Sequence, residues 1–209
     1  MKKSIKLLII KIINILSLNK ILTEIKWRIN NKPVPPPHFI KQRIIKNYAK
    51  KYSLEIFIET GTYLGETVMS VRNRFKQIFS IELNQPLFER AKNIFIKYPH
   101  IQILHGDSST VLISILSKID KPALFWLDGH YSAGITSKGS LNTPILKELE
   151  LILKHKINNH IILIDDARCF IGKDDYPTIT ELKSYIKNIN PKINFRVDND
   201  IIRIIIEKS

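Results

Sequence analysis

Three polar side chains follow a short apolar run in the stretch LFWLDGHYS (124–132). Asp128 and His130 stand two residues apart, and Tyr131 comes next. An acid or an imidazole is costly to bury inside an apolar strand, but the carboxyl end of a strand in an open α/β sheet faces the crevice where ligands bind. An acid and a base at such a point could transfer a proton. Whether they do chemistry or only hydrogen-bond within a loop depends on the other strand ends.

Apolar runs alternate with segments of helical period from Tyr52 to the end of the chain. Strands that alternate with helices form a mainly parallel sheet, because parallel neighbours need a crossover connection. A terminal β-hairpin makes the last strand antiparallel. We therefore predict an α/β fold with a Rossmann-like, doubly wound sheet. The predicted strands cover 54–60, 78–83, 101–106, 123–128, 160–166 and the hairpin 193–208.

The first predicted strand runs into a glycine-containing loop, ETGTYLG (59–65). Gly61 permits a tight turn, and the helix start after Gly65 offers backbone N–H groups to an anionic group. A dinucleotide fingerprint needs the pattern G-x-G-x-x-G, whereas position 63 is Tyr, so NAD binding fits poorly. The loop alone could also be an ordinary strand-to-helix turn.

Acidic residues end the first three strands. Glu82 follows the second strand at a spacing that suits hydrogen bonds from ribose hydroxyls. Asp107 and Ser108 follow the third strand, where they could equally cap the next helix. Together with Glu59 after the first strand, these acids indicate a nucleoside pocket.

In element order and in these motifs, the segment from about 54 to 208 resembles the class I S-adenosylmethionine-dependent methyltransferases, which have a seven-stranded sheet with a reversed last strand. Tyr63 stands where many members have glycine. The resemblance implies S-adenosylmethionine as cofactor and an acidic-glycine loop, a ribose-binding acid and an adenine-side acid as its binding groups. These cofactor-binding residues would be Glu59, Gly61, Thr62, Gly65, Glu82, Asp107 and Ser108.

A second acidic group follows the fourth and fifth strands. Asp128 closes the fourth, and Asp165 and Asp166 close the fifth. Like charges that cluster need a cation or protons, and an all-oxygen ligand set favours Mg²⁺ or a similar ion. The pattern resembles the metal-dependent O-methyltransferases of the catechol and macrolide-sugar types. The resemblance implies that these three acids hold a divalent cation and that His130 is the base beside Asp128.

The same residues could also have purely structural roles. His130 could merely hydrogen-bond in its loop, and Asp166 could form a structural pair with Arg168. The segment 131–142 has the Gly and Ser content of a mobile cover over a substrate. The acceptor of the methyl group would be a hydroxyl on a small molecule or on a sugar or glycan precursor.

The charge of the chain is concentrated near its start. The net charge is +14, but residues 1–51 hold 13 Lys or Arg and one acid, so the remainder is nearly neutral. This distribution argues against a nucleic-acid partner for the folded body. Prolines at 33 and 35–37 form a stiff connector, and we predict a basic arm over 1–51 and a methyltransferase domain over 52–209.

The arm begins with an amphipathic pattern that is a poor signal peptide and is too interrupted to span a bilayer. It could pack on its own domain or on a partner, including a second copy in a homo-oligomer, or bind a membrane surface. The single cysteine, Cys169, is typical of a reducing compartment and predicts a cytoplasmic location, with or without membrane association.

Two other functions match parts of the sequence. A nicotinamide oxidoreductase shares this type of sheet, but it would need a glycine near 63 and a Tyr-x-x-x-Lys pair that the sequence does not offer in the expected context. A non-catalytic protein could use the basic arm to bind membrane or RNA, but the intact acidic cluster disfavours it. We therefore predict a metal-assisted O-methyltransferase.

Overall fold

The computed structural model describes residues 17–128 and 143–206, and the predicted alternation of strands and helices is confirmed. Helix α1 is described over 17–29. The other helices are α2 (His38–Lys51), α3 (Glu66–Val71), α4 (Gln85–Phe95), α5 (Ser108–Leu116), α6 (Ile145–Leu153) and α7 (Ile179–Ile189). The strands are β1 (Ile56–Thr60), β2 (Gln77–Glu82), β3 (Ile101–His105), β4 (Ala123–Leu127), β5 (Ile161–Ile164), β6 (Ile193–Asp198) and β7 (Ile201–Ile206).

The seven strands form one sheet in the order β3-β2-β1-β4-β5-β7-β6. Strands β1 to β5 pair in parallel, whereas β7 is antiparallel to both of its neighbours. The predicted fold class, including the reversed last strand, is therefore confirmed. The strand order changes direction between β1 and β4, and in such sheets a ligand binds in the crevice beyond the carboxyl ends at this point.

Helices cover both faces of the sheet. Successive residues of β1 point to opposite sides, so that Ile58 packs with α5, α6 and α7 and Phe57 packs with α2, α3 and α4. Neither side chain has any exposed surface. Burial of each such side chain contributes about 1.5–3 kcal/mol, which is why near-continuous apolar strands are stable only in a sheet covered on both sides.

Helix α2 belongs to the same packed unit as the sheet. Ile45 and Ala49 are fully buried in the apolar cluster that also contains Phe57 and Trp126. The packed part of the chain therefore begins before Tyr52, the limit predicted from the sequence, because α2 covers apolar surface that the strands would otherwise expose to water.

Side-chain hydrogen bonds link helix α1 to the proline connector and to α2. The indole Nε1 of Trp27, which is buried, donates to the carbonyl oxygen of Pro33 at 2.8 Å. The guanidinium of Arg43 donates to both carboxylate oxygens of Glu24 at 2.6 and 2.7 Å. No helix in the described ranges is both long and apolar enough to cross a bilayer. The predicted amphipathic start at 1–16 lies outside these ranges.

Two histidines connect the amino-terminal side of the sheet to α5. The backbone N–H of Ala123 donates to Nδ1 of His160 at 3.0 Å, so the proton of a neutral His160 sits on Nε2. Nε2 then donates to Nδ1 of His155 at 2.9 Å, and Nε2 of His155 donates to the carbonyl of Leu116 at 2.9 Å. Burial, with a smaller contribution from His155, lowers the pKa of His160 to about 4.

This chain of hydrogen bonds predicts a loss of stability in acid. Between about pH 6.5 and about pH 4 the unfolded chain binds a proton at His160 that the folded chain does not bind. The free energy of unfolding should therefore fall as the pH drops through this window, by up to about 3 kcal/mol. His160→Asn should be less stable at neutral pH and should lose this part of the pH dependence, as measured by urea unfolding. His105→Asn, at an exposed position, is the matched control, and equal slopes in both variants would contradict the assignment.

Candidate functional site

The glycine loop after β1 is fixed to the neighbouring strand. The backbone N–H groups of Gly61 and Thr62 both donate to the carbonyl of Ile81, at 2.9 and 3.1 Å. Gly61 and Gly65 have φ values of 86° and 76°, in the left-handed region. A Cβ atom on Gly65 would also lie 2.9 Å from Cε2 of Phe95, so both backbone angle and space require glycine there.

Tyr63 occupies the position where the resembled family often has glycine. Its φ is 48°, a conformation that costs a non-glycine residue on the order of 1 kcal/mol. The carboxylate of Glu82 supports it, because Oε2 accepts the N–H of Tyr63 at 2.7 Å while Oε1 accepts the N–H of Asn84 at 2.9 Å. The tyrosine side chain is half exposed. The departure at 63 is therefore compatible with the loop, and Glu82 lies where β2 ends, directly against it.

Glu59 lies inside the protein, with 2% of its surface exposed. Ser80, its partner on β2, donates to Oε2 of Glu59 at 2.6 Å, and the hydroxyls of Ser80 and Thr62 are 2.7 Å apart. Burial raises the pKa of Glu59 to about 8, although the hydrogen bond from Ser80 opposes the shift. Glu59 therefore supports the loop from inside the protein, through hydrogen bonds that run by way of Ser80 to Thr62.

Asp107 caps helix α5. Its Oδ1 accepts the backbone N–H of Ser109 at 2.8 Å and the hydroxyl of Ser109 at 2.6 Å. The capping role that the sequence left open is therefore present, and the adenine-side role of Asp107 stays a prediction. Ser108, the first residue of α5, is buried and hydrogen-bonds the side chain of Glu148.

Glu148 was not singled out from the sequence. It lies on α6, is 1% exposed, and hydrogen-bonds the side chains of Ser108 and Thr60, which places it beneath the ends of β1 and β3. Its Oε1 has no hydrogen-bond partner within the described part of the chain. Burial raises its pKa to about 7. The sequence did contain a local signal that this acid is buried, because Glu148 shares the apolar face of α6 with Ile145 and Ile152.

A lysine from α2 lies between the two acids that follow β5. The ammonium of Lys41 donates to Oδ2 of Asp165 at 2.6 Å and to Oδ1 of Asp166 at 3.1 Å. Burial alone would lower the pKa of Lys41, but the two carboxylates raise it above its ordinary value. Burial raises the pKa of Asp165, with Asp128 and Asp166 adding to the effect and Lys41 opposing it. Lys41 lies in the segment that the sequence assigned to the arm.

The structural pair between Asp166 and Arg168 is also present. The guanidinium of Arg168 donates to Oδ1 of Asp166 at 2.7 Å and forms an ion pair with Asp200. The backbone N–H of Arg168 donates to Oδ1 of Asp200 at 2.8 Å. Asp166 itself has a φ of 54°, so its backbone is held in the left-handed region. Two cations therefore face the acids that follow β5.

The predicted metal ligands come together only in part. Asp128 and Asp165 follow neighbouring strands, because Leu127 pairs with Ile164 and accepts the N–H of Asp165 at 3.0 Å. In the ranges that the structure covers, however, no three His, Cys, Asp or Glu side chains are arranged to hold a metal ion. As they stand, these carboxylates do not fit a divalent ion, because the ammonium of Lys41 already binds Asp165 and Asp166. Metal binding by Asp128, Asp165 and Asp166 thus stays a prediction. The contacts of Lys41 argue against it.

Two parts of the predicted site, His130 and the segment 131–142, fall outside the described residues. Tyr176, to which no sequence motif pointed, packs edge-on against the ring of Phe170. Burial raises its pKa, the charges of Asp166 and Asp128 contribute, and a hydrogen bond to Thr143 opposes the shift.

Three solved structures with a similar fold are methyltransferases. An O-methyltransferase from Bacillus cereus in complex with SAH has 11% identity over 88% of each chain, with a TM-score of 0.59. The O-methyltransferase TomG from Streptomyces achromogenes, in complex with SAM, has 12% identity over 88% of this chain and 86% of its own, with a TM-score of 0.56. An SAH-bound methyltransferase from Podospora anserina has 14% identity over 80% of this chain and 78% of its own, with a TM-score of 0.56.

No protein-family model matches the sequence, and no curated protein matches it. At 11–14% identity the three structures establish a shared fold. The chain therefore has the fold of the S-adenosylmethionine-dependent methyltransferases.

The buried carboxyl of Glu148 predicts a pH effect opposite in sign to that of His160. The pKa of Glu148 is about 7 in the folded chain and ordinarily 4.5, so stability is lost as the pH rises through this window. Glu148→Gln keeps the shape and removes the ionisation. Relative to the original protein, its free energy of unfolding should increase by up to about 3 kcal/mol more at high pH than at low pH. Glu150→Gln, on the exposed face of α6, is the control, and a pH-independent difference for Glu148→Gln would contradict the prediction.

Proposed function

We propose that the protein is an S-adenosylmethionine-dependent O-methyltransferase. The observation that carries the proposal is the loop 61–65, held against Glu82 at the point where the strand order of a methyltransferase-type sheet changes direction. In sheets of this kind the crevice at that point binds the ligand.

Glu82 would bind the ribose of the cofactor. A carboxylate has about four lone-pair positions, and the N–H groups of Tyr63 and Asn84 use two of them. The remaining positions suit the two ribose hydroxyls. Gly61, Thr62 and Gly65 would approach the methionine end, and Asp107 and Ser108 would lie on the adenine side. Glu59 would support this loop from within the core rather than contact the cofactor.

The reaction would be an in-line displacement. The oxygen of an acceptor hydroxyl attacks the methyl carbon, the new C–O bond forms as the C–S bond breaks, and the electron pair of that bond stays on sulfur as a neutral thioether. The hydroxyl proton passes to a base, for which His130, close to Asp128 along the chain, is the candidate. Such a transfer depends mainly on how the two reactants are oriented.

The acceptor would be a hydroxyl of a small molecule or of a sugar or glycan precursor. The acids that follow β4 and β5 lie at the same edge as the cofactor crevice, and the charges of Asp166 and Asp128 act on Tyr176. A nicotinamide function is disfavoured, since Tyr63 replaces a glycine that a dinucleotide fingerprint requires. Residues 52–209 carry nearly balanced charge, which disfavours RNA as a partner of that segment.

Cofactor binding tests the proposal directly. S-adenosylmethionine and its demethylated product should bind in titration calorimetry, and NAD should not. Glu82→Ala removes the acceptor for two hydroxyls, each hydrogen bond being worth on the order of 1 kcal/mol, so affinity should fall by roughly tenfold or more. Glu89→Ala, an exposed acid on α4, should bind as the original protein does.

Unchanged affinity in Glu82→Ala would reject the ribose assignment. Failure of the original protein to bind S-adenosylmethionine would reject the proposed function as a whole. Transfer of a labelled methyl group from S-adenosylmethionine to sugar hydroxyls then tests the reaction itself.

We also propose that α1, with the basic residues around it, binds an anionic lipid surface. Leu18, Leu22, Ile25 and Ile29 recur at helical spacing on one face of α1 with Ile21, and all five are between 47% and 74% exposed. Residues 1–37, which precede α2, carry eight Lys or Arg and one acid. An apolar face combined with a basic segment suits a membrane surface with negative charge.

Substitution of the apolar face tests this interaction. The full-length protein should sediment with anionic vesicles and not with neutral ones, and the double variant Leu22→Asp, Ile25→Asp should stay in solution. Ile96→Asp, at an apolar position on the body that is 78% exposed, should sediment as the original does. Equal sedimentation of the double variant would remove the lipid proposal. Concentration-dependent dimerisation without lipid, lost in the same variant, would indicate instead that a second copy covers the face.

A further inference from the structure

We infer that Lys41 is the resident cation of the acidic edge and excludes a divalent ion from it. The acidic edge comprises the residues that follow β4 and β5, namely Asp128, Asp165 and Asp166. The role of Lys41 in catalysis rests on the proposed methyl transfer, whereas its exclusion of a metal ion does not.

Three of the oxygens that a metal would need already accept hydrogen bonds. Oδ2 of Asp165 accepts from Lys41 at 2.6 Å, and its Oδ1 accepts the backbone N–H of Asp166 at 2.8 Å. Oδ1 of Asp166 accepts from both Lys41 and Arg168. Mg²⁺ or Ca²⁺ binds such oxygens at about 2.0–2.6 Å, which would place the ion against the ammonium. A divalent ion carries twice the charge of an ammonium and lies closer to the oxygens than a hydrogen-bond donor does, so the ion and the lysine repel and exclude one another.

The lysine is held in place by the packing of its helix. Lys41 is 9% exposed and lies in the first turn of α2, next to Ile40, which is 3% exposed. Helix α2 is anchored further along by Ile45, which is fully buried. The ammonium is therefore not a mobile surface group. A buried ammonium needs paired carboxylates, and the carboxylates need a cation, so each stabilises the other in this site.

The arrangement gives the lysine a role toward the acceptor. An ammonium has three N–H groups, and the contacts to Asp165 and Asp166 use two of them. The third can donate to an acceptor oxygen and favour its negative charge as the proton leaves, which is the service a divalent ion would supply. Methyl transfer would then proceed without an added metal.

Manganese binding distinguishes an edge occupied by Lys41 from an edge that binds a metal ion, and it does so without a measurement of activity. With Mn²⁺ as the probe in calorimetry, the full-length protein should give no saturable binding. Lys41→Met should create a site, with a rise in Tm on the order of 5 °C in excess Mn²⁺. Adding Asp165→Asn to Lys41→Met should remove the new binding. Lys50→Met, a loss of the same charge at an exposed position on α2, should give no binding.

A second variant covers the case in which Lys41→Met does not fold. Lys41→Gln retains a polar side chain and should also bind Mn²⁺, whereas Lys41→Arg keeps the charge and should not. Equimolar Mn²⁺ binding by the original protein, lost in Asp165→Asn, would overturn the inference. The absence of binding in folded Lys41→Met or Lys41→Gln would overturn it as well.

Methyl transfer in chelator completes the test. The original protein should keep its full rate in chelator, and Lys41→Met should be slow until metal is added. S-adenosylmethionine binding is measured on the same samples. Loss of cofactor binding in the original protein would mean that the proposed function has failed, whereas loss of rate in chelator with cofactor binding intact would mean that the role of Lys41 has failed.

Discussion

Parallel pairing of β1 to β5 places several acid-bearing strand ends at one edge of the sheet, and the structure must compensate their charge. Each acid is accommodated differently. Burial raises the pKa of Glu59, Glu82 accepts two backbone N–H groups, Asp107 caps a helix, and Asp165 accepts a hydrogen bond from the ammonium of Lys41. Because repulsion between the acids is relieved locally, the ends of the strands can lie together and define one crevice.

The fold could be predicted from the sequence because the information is local. Apolar runs of strand length, helical periods between them and the terminal hairpin specify the elements, and the crossover rule then limits their order. The glycine loop and Glu82 were also found locally, from a spacing of about 20 residues. Tyr63 needed the structure, because only the backbone angles reveal that a tyrosine adopts the conformation expected of glycine.

The parts of the site that could not be predicted depend on contacts between residues that are far apart in the sequence. Lys41 and Asp165 are separated by 124 positions, and no periodicity relates them. The excess of basic residues before 52 was interpreted as the charge of an arm, yet two of these residues form ion pairs with acids, Lys41 with Asp165 and Arg43 with Glu24. Part of the positive charge therefore belongs to the folded protein and not to a ligand-binding tail.

The packing of α2 affects how the protein can be shortened. A version that starts at Tyr52, where the sequence suggests a domain limit, would lack Ile45 and Lys41 together. It would expose the face of the sheet that carries Phe57 to water, and it would leave Asp165 without its ammonium partner. Such a protein is expected to aggregate, whereas one that starts before α1 keeps both the cover of the sheet and the cation of its acidic edge.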